Sequence, residues 1–277
     1  MSQTYQATGI NLKGVPLGER DRLLTILTPE YGLIKAVAGG ARKHHSSLRG
    51  RSELFVVNQL LLVKGRSSLY RLTQAETIYT YSQLSRNLGK LAISQYLAEI
   101  ALGFALSEQP QSELFTLLRE HLNRIEARPV SPEQGGEPLA QALLPLLNQG
   151  IFHLLSLAGI APQVYNCCLT QRPLTVDYRD PNSRVGFSNQ AGGIIEQGQE
   201  PVNQILSVAE LMLLQQFSQP QLSSDFSGEA IHLQAIEKLL RNYTEYHFHF
   251  SIRSASLVES LLACQTYPSD AITSAIK

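Results

Sequence analysis

The sequence predicts a multidomain chain of mixed α and β structure, a small β-barrel followed by a helical body. Three observations predict it. Apolar runs of strand length alternate with tight turns through the first eighty residues, the apolar period turns helical after Tyr81, and the charge divides at the same place. Residues 1–80 carry eleven Lys/Arg against five Asp/Glu, a net of +6, and residues 81–277 carry twelve against eighteen, a net of −6.

The expected strands are residues 9–15, 23–27, 33–38, 54–63 and 69–72, separated by Gly18, by Pro29-Glu30-Tyr31-Gly32, by Gly39-Gly40 and by Gly65-Arg66-Ser67-Ser68. Five short strands with no room for a long helix fit a closed barrel, because closure removes exposed edges, and this is what an OB-fold needs. Beyond Tyr81, Leu84, Leu88, Ala92, Tyr96, Ile100 and Phe104 form one helical stripe and Leu114, Leu117, Leu118, Leu122 and Ile125 a second. A Pro-, Gly- and Glu-rich loop at 128–138 precedes a third helix on Leu139 to Ala158, kinked or started late by Pro145. Two more helices are expected near 208–217 and 231–250, the latter on Ile236, Leu239, Leu240, Tyr243 and Phe250, and the tail from Gln265 is short and polar. Residues 162–201 hold scattered Gly, Pro, Asn and Asp, too long a stretch for a plain loop, and are expected to carry a small β structure. The expected division is thus 1–80 as the barrel and 81–277 as the helical domain, with 162–201 as an insertion.

No window offers the eighteen or so apolar residues of a membrane span, and the N-terminus lacks the pattern of a secretory signal. Three cysteines, two of them the adjacent Cys167 and Cys168, make a poor disulfide framework and fit a reducing compartment, so the expected location is cytoplasmic. A basic half joined to an acidic one points to a polyanion-binding module on a body with another task, the alternative being an uneven spread of surface charge. The richest local signal is the loop at 39–51, with Arg42, Lys43, His44, His45, Ser46, Ser47, Arg49 and Arg51 among glycines. Lys and Arg neutralise phosphates, while hydroxyls and glycine amides hydrogen-bond to them. Lys35, Lys64, Arg66 and Arg71 extend the patch as DNA-binding candidates. Tyr31, Phe55 and Tyr70 are stacking candidates, or core. A solvated loop without ligand is the alternative.

The phosphate-cradling, dinucleotide, nucleophile-elbow and zinc-protease motifs are all missing, so the chain reads as non-enzymatic. His44-His45 lie among cations that repel a metal ion, and His247 and His249 read as the edge of a helical core.

Three segments in register carry a resemblance: Gly18-Glu19-Arg20-Asp21-Arg22-Leu23-Leu24-Thr25, then Tyr31-Gly32-Leu33-Ile34-Lys35-Ala36-Val37-Ala38-Gly39-Gly40-Ala41-Arg42, then Gln74-Ala75-Glu76. Phe187-Ser188 before Gly192-Gly193, and Ile252-Arg253-Ser254, add to it. With these the chain resembles the bacterial RecO family of recombination mediators in DNA repair over nearly its whole length. The resemblance implies an OB-fold, a helical bundle and a zinc-ribbon-like insertion, in a protein that works without ATP. It also implies single- and double-stranded DNA as ligands and annealing of complementary strands. RecR and the single-strand-binding protein are the implied partners, with RecA loaded indirectly. Many members carry four cysteines in the insertion; the matching positions here are Cys167, Thr170, Glu196 and Gln199, so the ribbon is read as degenerate, with no metal and no cofactor. The single-strand-binding protein's acidic tail calls for an apolar groove beside a cation, and Arg241 and Arg253 are the partner-binding candidates; both could instead pair with acids such as Glu237 or Glu245. An RNA- or protein-binding OB-fold adaptor is the alternative function.

Overall fold

The computed structural model describes residues 3–64, 69–130, 139–221 and 228–263. The turn at 65–68, most of the loop at 128–138 and the tail from 265 lie outside the described residues. The elements are β1 (Gln3–Leu17), β2 (Asp21–Thr28), β3 (Gly32–Ala38), β4 (Val56–Lys64) and β5 (Tyr70–Thr80), then α1 (Ser82–Ser85), α2 (Leu88–Phe104), α3 (Ser112–Ala127) and α4 (Leu139–Leu157). Strands β6 (Arg184–Ser188), β7 (Gly193–Ile195) and β8 (Gln204–Ser207) follow, and helices α5 (Val208–Phe217), α6 (Ala230–Phe248) and α7 (Ser254–Ala263) end the described chain. By contacts the chain forms two compact units, residues 1–86 with 101–126, and residues 87–100 with 127–277.

In the first unit the five strands close in the order β1-β2-β3-β5-β4, with β3 and β5 parallel and every other pair antiparallel. This is the OB-fold expected from the sequence. Alternation explains the closure: in β3, Ile34, Ala36 and Ala38 face in while Lys35 and Val37 face out. The interior is filled by Leu24, Ile26, Leu60, Leu62 and Leu72, each contributing about 1.5–3 kcal/mol by burial. Two strands run beyond their expected bounds. Residues 3–8 and 73–80 are largely polar on the outward side, so no apolar run marks them. Pairing with β4 makes them strands, Gln3 opposite Lys64 and Thr80 opposite Val56.

The unit does not end at residue 80, where the period of the sequence changes. The loop after α2 clasps the β2–β3 turn: Leu33 N–H donates to the Leu106 carbonyl at 2.8 Å and Gln111 N–H to the Pro29 carbonyl at 2.9 Å. The Tyr79 hydroxyl donates to Glu126 at 2.6 Å and the Tyr81 hydroxyl to Asn123 at 2.8 Å, tying α3 to the end of β5. Residues 101–126 therefore group with the barrel rather than with the helical body.

In the second unit Asn87 splits the first expected stripe. Its side chain accepts the Lys90 N–H at 3.0 Å and starts α2 afresh. Pro145 lies inside α4, which continues through it instead of starting late. Helix α6 stops at His249, whose φ of 56° is left-handed, so Phe250 leaves the helix and stacks on Phe248. Helix α7 was not expected. The Glu99 carboxylate accepts the N–H groups of Arg253 (2.7 Å) and Ser254 (3.4 Å) and caps it from outside. Between α4 and α5 lies a three-stranded sheet, order β7-β6-β8, of which β6 and β7 fall within the expected insertion at 162–201 and β8 lies beyond it. No described helix is long and apolar enough to cross a membrane.

Gly32 has φ +64°, and a Cβ there would overlap the carbonyl oxygens of Leu106 and Gln109; Gly18 has φ +61° but open space around it. Gly32→Ala is therefore expected to cost at least about 3 kcal/mol, strain and clash together, and Gly18→Ala about 1 kcal/mol. Equal losses in chemical denaturation would show that the clasp contributes nothing.

Candidate nucleic-acid interface

Strand register decides which cations share a face. Lys13 pairs with Thr25 and Thr25 with Lys35, a row across β1, β2 and β3. The next row is Val15, Leu23, Val37, Arg71 and Val63. Lys13, Lys35 and Arg71 are exposed, as are Val15 and Leu17. The outer wall is thus an apolar strip edged by positive charge, on the strands that OB-folds present to ligands. Lys13 was missed because strict alternation puts it beside buried Asn11 on the inner face. A bulge between Asn11 and Lys13 turns it outward.

The basic loop is built into the barrel. Ala41 and Leu48 are buried in the core. The Asn11 amide donates to the carbonyls of Arg51 (2.8 Å) and Glu53 (2.9 Å), and the Asn58 amide to that of Arg51 (2.9 Å). Arg22 donates to the Ser52 carbonyl at 2.9 Å and pairs with Glu53 at 2.9 Å. At the other end of the loop Gly40 N–H donates to Asp21 at 2.7 Å, and Arg42 reaches the Gly18 carbonyl at 2.7 Å, joining the loop to the β1–β2 turn. Arg42, Lys43 and Arg49 remain exposed, together with Arg20 of that turn. Arg51 is half-buried, lining a polar groove with Gln59, Gln74 and Glu76.

The remaining barrel candidates part company with this face. Lys64 stands opposite Gln3, at the far end of β1 from Leu17. Its ammonium is paired with Glu108 and lies 5.3 Å from the Tyr70 ring centre, and the Glu108 hydrogen bond holds its pKa above the ordinary lysine value. Arg66 lies outside the described residues. The stacking candidates are core: Phe55 and Tyr70 are buried, and Tyr31 packs edge-on against Tyr5, which packs in turn against Tyr70.

In the second unit Arg241 bridges two carboxylates, Glu237 at 3.7 Å and Glu259 at 2.6 Å. Glu237 is buried, accepts the hydroxyl of buried Tyr96 at 2.8 Å, and has its pKa raised by that burial. Arg241 is therefore spoken for. The Arg253 side chain is exposed, and its guanidinium group forms no ion pair among the described residues. In the insertion, Cys167 Sγ donates to Gln199 Oε1 at 3.1 Å, and Gln199 donates on to Glu196 at 3.4 Å. Burial raises the Cys167 pKa, but hydrogen bonds from Thr170 and from the amides of Glu196 and Leu169 outweigh it, leaving the thiol more acidic than usual.

Two family models cover this chain: Recombination protein O N terminal matches residues 1–81 and Recombination protein O C terminal residues 85–255. Full-length relatives agree. It is 52% identical to the DNA repair protein RecO of Gloeothece citriformis, over 94% of this chain and 98% of that one. It is 47% identical to its counterpart in a Nostoc species (95% and 98% covered) and 49% to that of Trichodesmium erythraeum (95% and 96%). The chain belongs to the RecO family. In this RecO-family chain Cys167, Thr170, Glu196 and Gln199 do come together around the Cys167 thiol, as one thiol, one hydroxyl, one carboxylate and one amide. That donor set does not fit a structural zinc ion, which takes thiolate or imidazole ligands almost without exception. Among the described residues no group of three or more His, Cys, Asp or Glu could hold a metal.

Two outcomes follow. Purified protein is expected to carry no stoichiometric zinc and to melt at the same temperature with and without a chelator; one zinc per chain by elemental analysis would overturn this. Arg241→Ala is expected to cost about 2–4 kcal/mol, because it leaves the buried Glu237 carboxylate without its cation. Adding Glu237→Gln should restore most of that loss, and additivity of the two changes would contradict the pairing.

Proposed function

We propose that this chain is a recombination mediator of DNA repair that binds DNA on the outer wall of its barrel and catalyses no covalent step. The observation that carries the reading is the shared face. Lys13, Lys35 and Arg71 edge an apolar strip on β1, β2, β3 and β5, and Arg42, Lys43 and Arg49 project from the loop fixed to the same barrel. The names of the full-length relatives support DNA repair as the setting. In this reading the chain works in the cytoplasm, binds single and double strands, and anneals complementary strands. With RecR it helps RecA load onto DNA covered by single-strand-binding protein. That protein's acidic tail is met by Arg253, the exposed cation, rather than by Arg241.

The test is affinity for oligo-dT across a salt series. Each phosphate neutralised on a single strand contributes about −0.7 to the slope of log affinity on log salt. Reversing Lys13, Lys35, Arg42, Lys43 and Arg49 to Glu should weaken binding and flatten that slope. Lys64→Ala, already paired with Glu108, should change it little. Wild-type affinity in the five-site variant at every salt concentration would remove the barrel face from the interface and favour an adaptor for RNA or protein. For the tail, Arg253→Ala should weaken a labelled acidic peptide about tenfold, the worth of one charge-assisted contact. Unchanged peptide affinity would remove Arg253.

A further inference from the structure

The chain has eleven tyrosines and no tryptophan. Nine of the described tyrosine and phenylalanine side chains are buried, yet two tyrosines of the insertion, Tyr165 and Tyr178, are each 46% exposed. An exposed tyrosine is free to turn its hydroxyl to water and leave its ring mobile, but the hydroxyls of these two are engaged. These two turn theirs inward, to the same end of α5. The Tyr165 hydroxyl donates to the Gln215 carbonyl at 3.1 Å and accepts from the Gln219 amide at 2.6 Å. The Tyr178 hydroxyl accepts from the Gln215 side-chain amide at 3.2 Å, and that amide also donates to the Val164 carbonyl at 2.9 Å. One glutamine thus anchors both rings. The rings are held while nearly half of each side chain stays open to solvent.

The charge around them is positive within a unit that is acidic by count. Residues 162–184 hold Arg172, Arg179 and Arg184 against Asp177 and Asp180. Arg172 lies on the hairpin that carries Tyr165, since its carbonyl accepts the Cys167 N–H at 2.8 Å. Arg179 follows Tyr178 directly. Both arginines are exposed, and neither guanidinium group forms an ion pair among the described residues. The two acids are turned to local backbone, Asp177 accepting the Arg179 N–H and Asp180 the Asn182 N–H, each at 2.9 Å.

We propose that Tyr165 and Tyr178, with Arg172 and Arg179, form a second single-strand nucleic-acid site on the insertion, separate from the barrel face, where unpaired bases stack on the two anchored rings. Fixed rings stack at little entropic cost, every base offers a π-face, and the arginines take the phosphates. An acidic or neutral protein segment would meet the same arginines but would gain little from two anchored flat rings. The proposal rests on the chain being a DNA-handling protein, and its consequence is that one molecule can hold two strands at once, as annealing requires.

The test uses the full chain with Tyr178→Trp, which places its sole indole at the site. Oligo-dT is titrated while the anisotropy of a labelled oligonucleotide reports total binding. Indole emission is expected to quench on addition of oligo-dT. The quench should persist when the barrel cations are reversed to Glu and vanish when Arg172 and Arg179 are reversed instead. In the barrel-reversed background, Tyr165→Ala with Tyr178→Ala should weaken the residual oligo-dT binding about tenfold or more. Ile231→Trp, at an exposed position of α6, should show no quench. Full binding by anisotropy with unchanged emission from the Tyr178→Trp protein would overturn this site and leave the barrel reading standing. No binding by anisotropy at any salt would overturn both.

Discussion

The cationic face depends on where three hydrogen bonds from two buried asparagines end. Asn11 on β1 and Asn58 on β4 point their amides at the carbonyls of Arg51 and Glu53. A buried amide left unpaired costs about 1–3 kcal/mol, so the loop either takes this path or leaves the amides of Asn11 and Asn58 unsatisfied at that cost. With its second half fixed, Arg22 can satisfy Ser52, Leu48 can enter the core, and Arg42 can reach the β1–β2 turn. What remains for solvent is Arg42, Lys43, His44, His45, Ser47 and Arg49. A flexible basic loop would lose conformational freedom on meeting a polyanion, whereas this one has lost most of it on folding.

Much of this was legible in the sequence, for physical reasons that also mark where reading stops. Strands with one buried face announce themselves by apolar runs, so β2, β3 and β4 came within two residues of their ends. The outer parts of β1 and β5 are polar, and only their partner on β4 makes them strands. Helix α7 escaped notice because its cap, Glu99, lies far away in sequence. The residue types of the cationic patch were readable, but their grouping was not. Lys13 depends on a bulge, Lys64 on a distant Glu108, and the aromatic candidates on the side of the wall they occupy.

The acidic count of the second half misleads as a guide to its surface. Several carboxylates there are engaged locally. Glu99 caps α7, Glu245 accepts the Ile252 N–H at 2.8 Å, and Glu210 completes a capping box with Ser207. Glu237 and Glu259 share Arg241, and Glu237 holds the hydroxyl of Tyr96, whose pKa lies well above the usual phenol value through burial and that neighbouring charge. Net charge sums these groups as though all faced a ligand. Their positions leave the guanidinium groups of Arg172, Arg179 and Arg253 facing solvent with no ion pair among the described residues.

The clasp on the β2–β3 turn has a consequence during synthesis, when the chain leaves the ribosome from its N-terminus. The barrel joins residues far apart in sequence, Gln3 with Lys64 and Ala36 with Tyr70, so it cannot close before β5 has emerged. The clasping loop lies some thirty residues further on, which is about two to six seconds of elongation at typical rates. Barrels of this contact order close in milliseconds to seconds. A nascent chain therefore passes through an interval in which the wall is complete but the Leu33 amide has no partner from the loop at 105–111, and the β2–β3 turn is secured only after the barrel has closed.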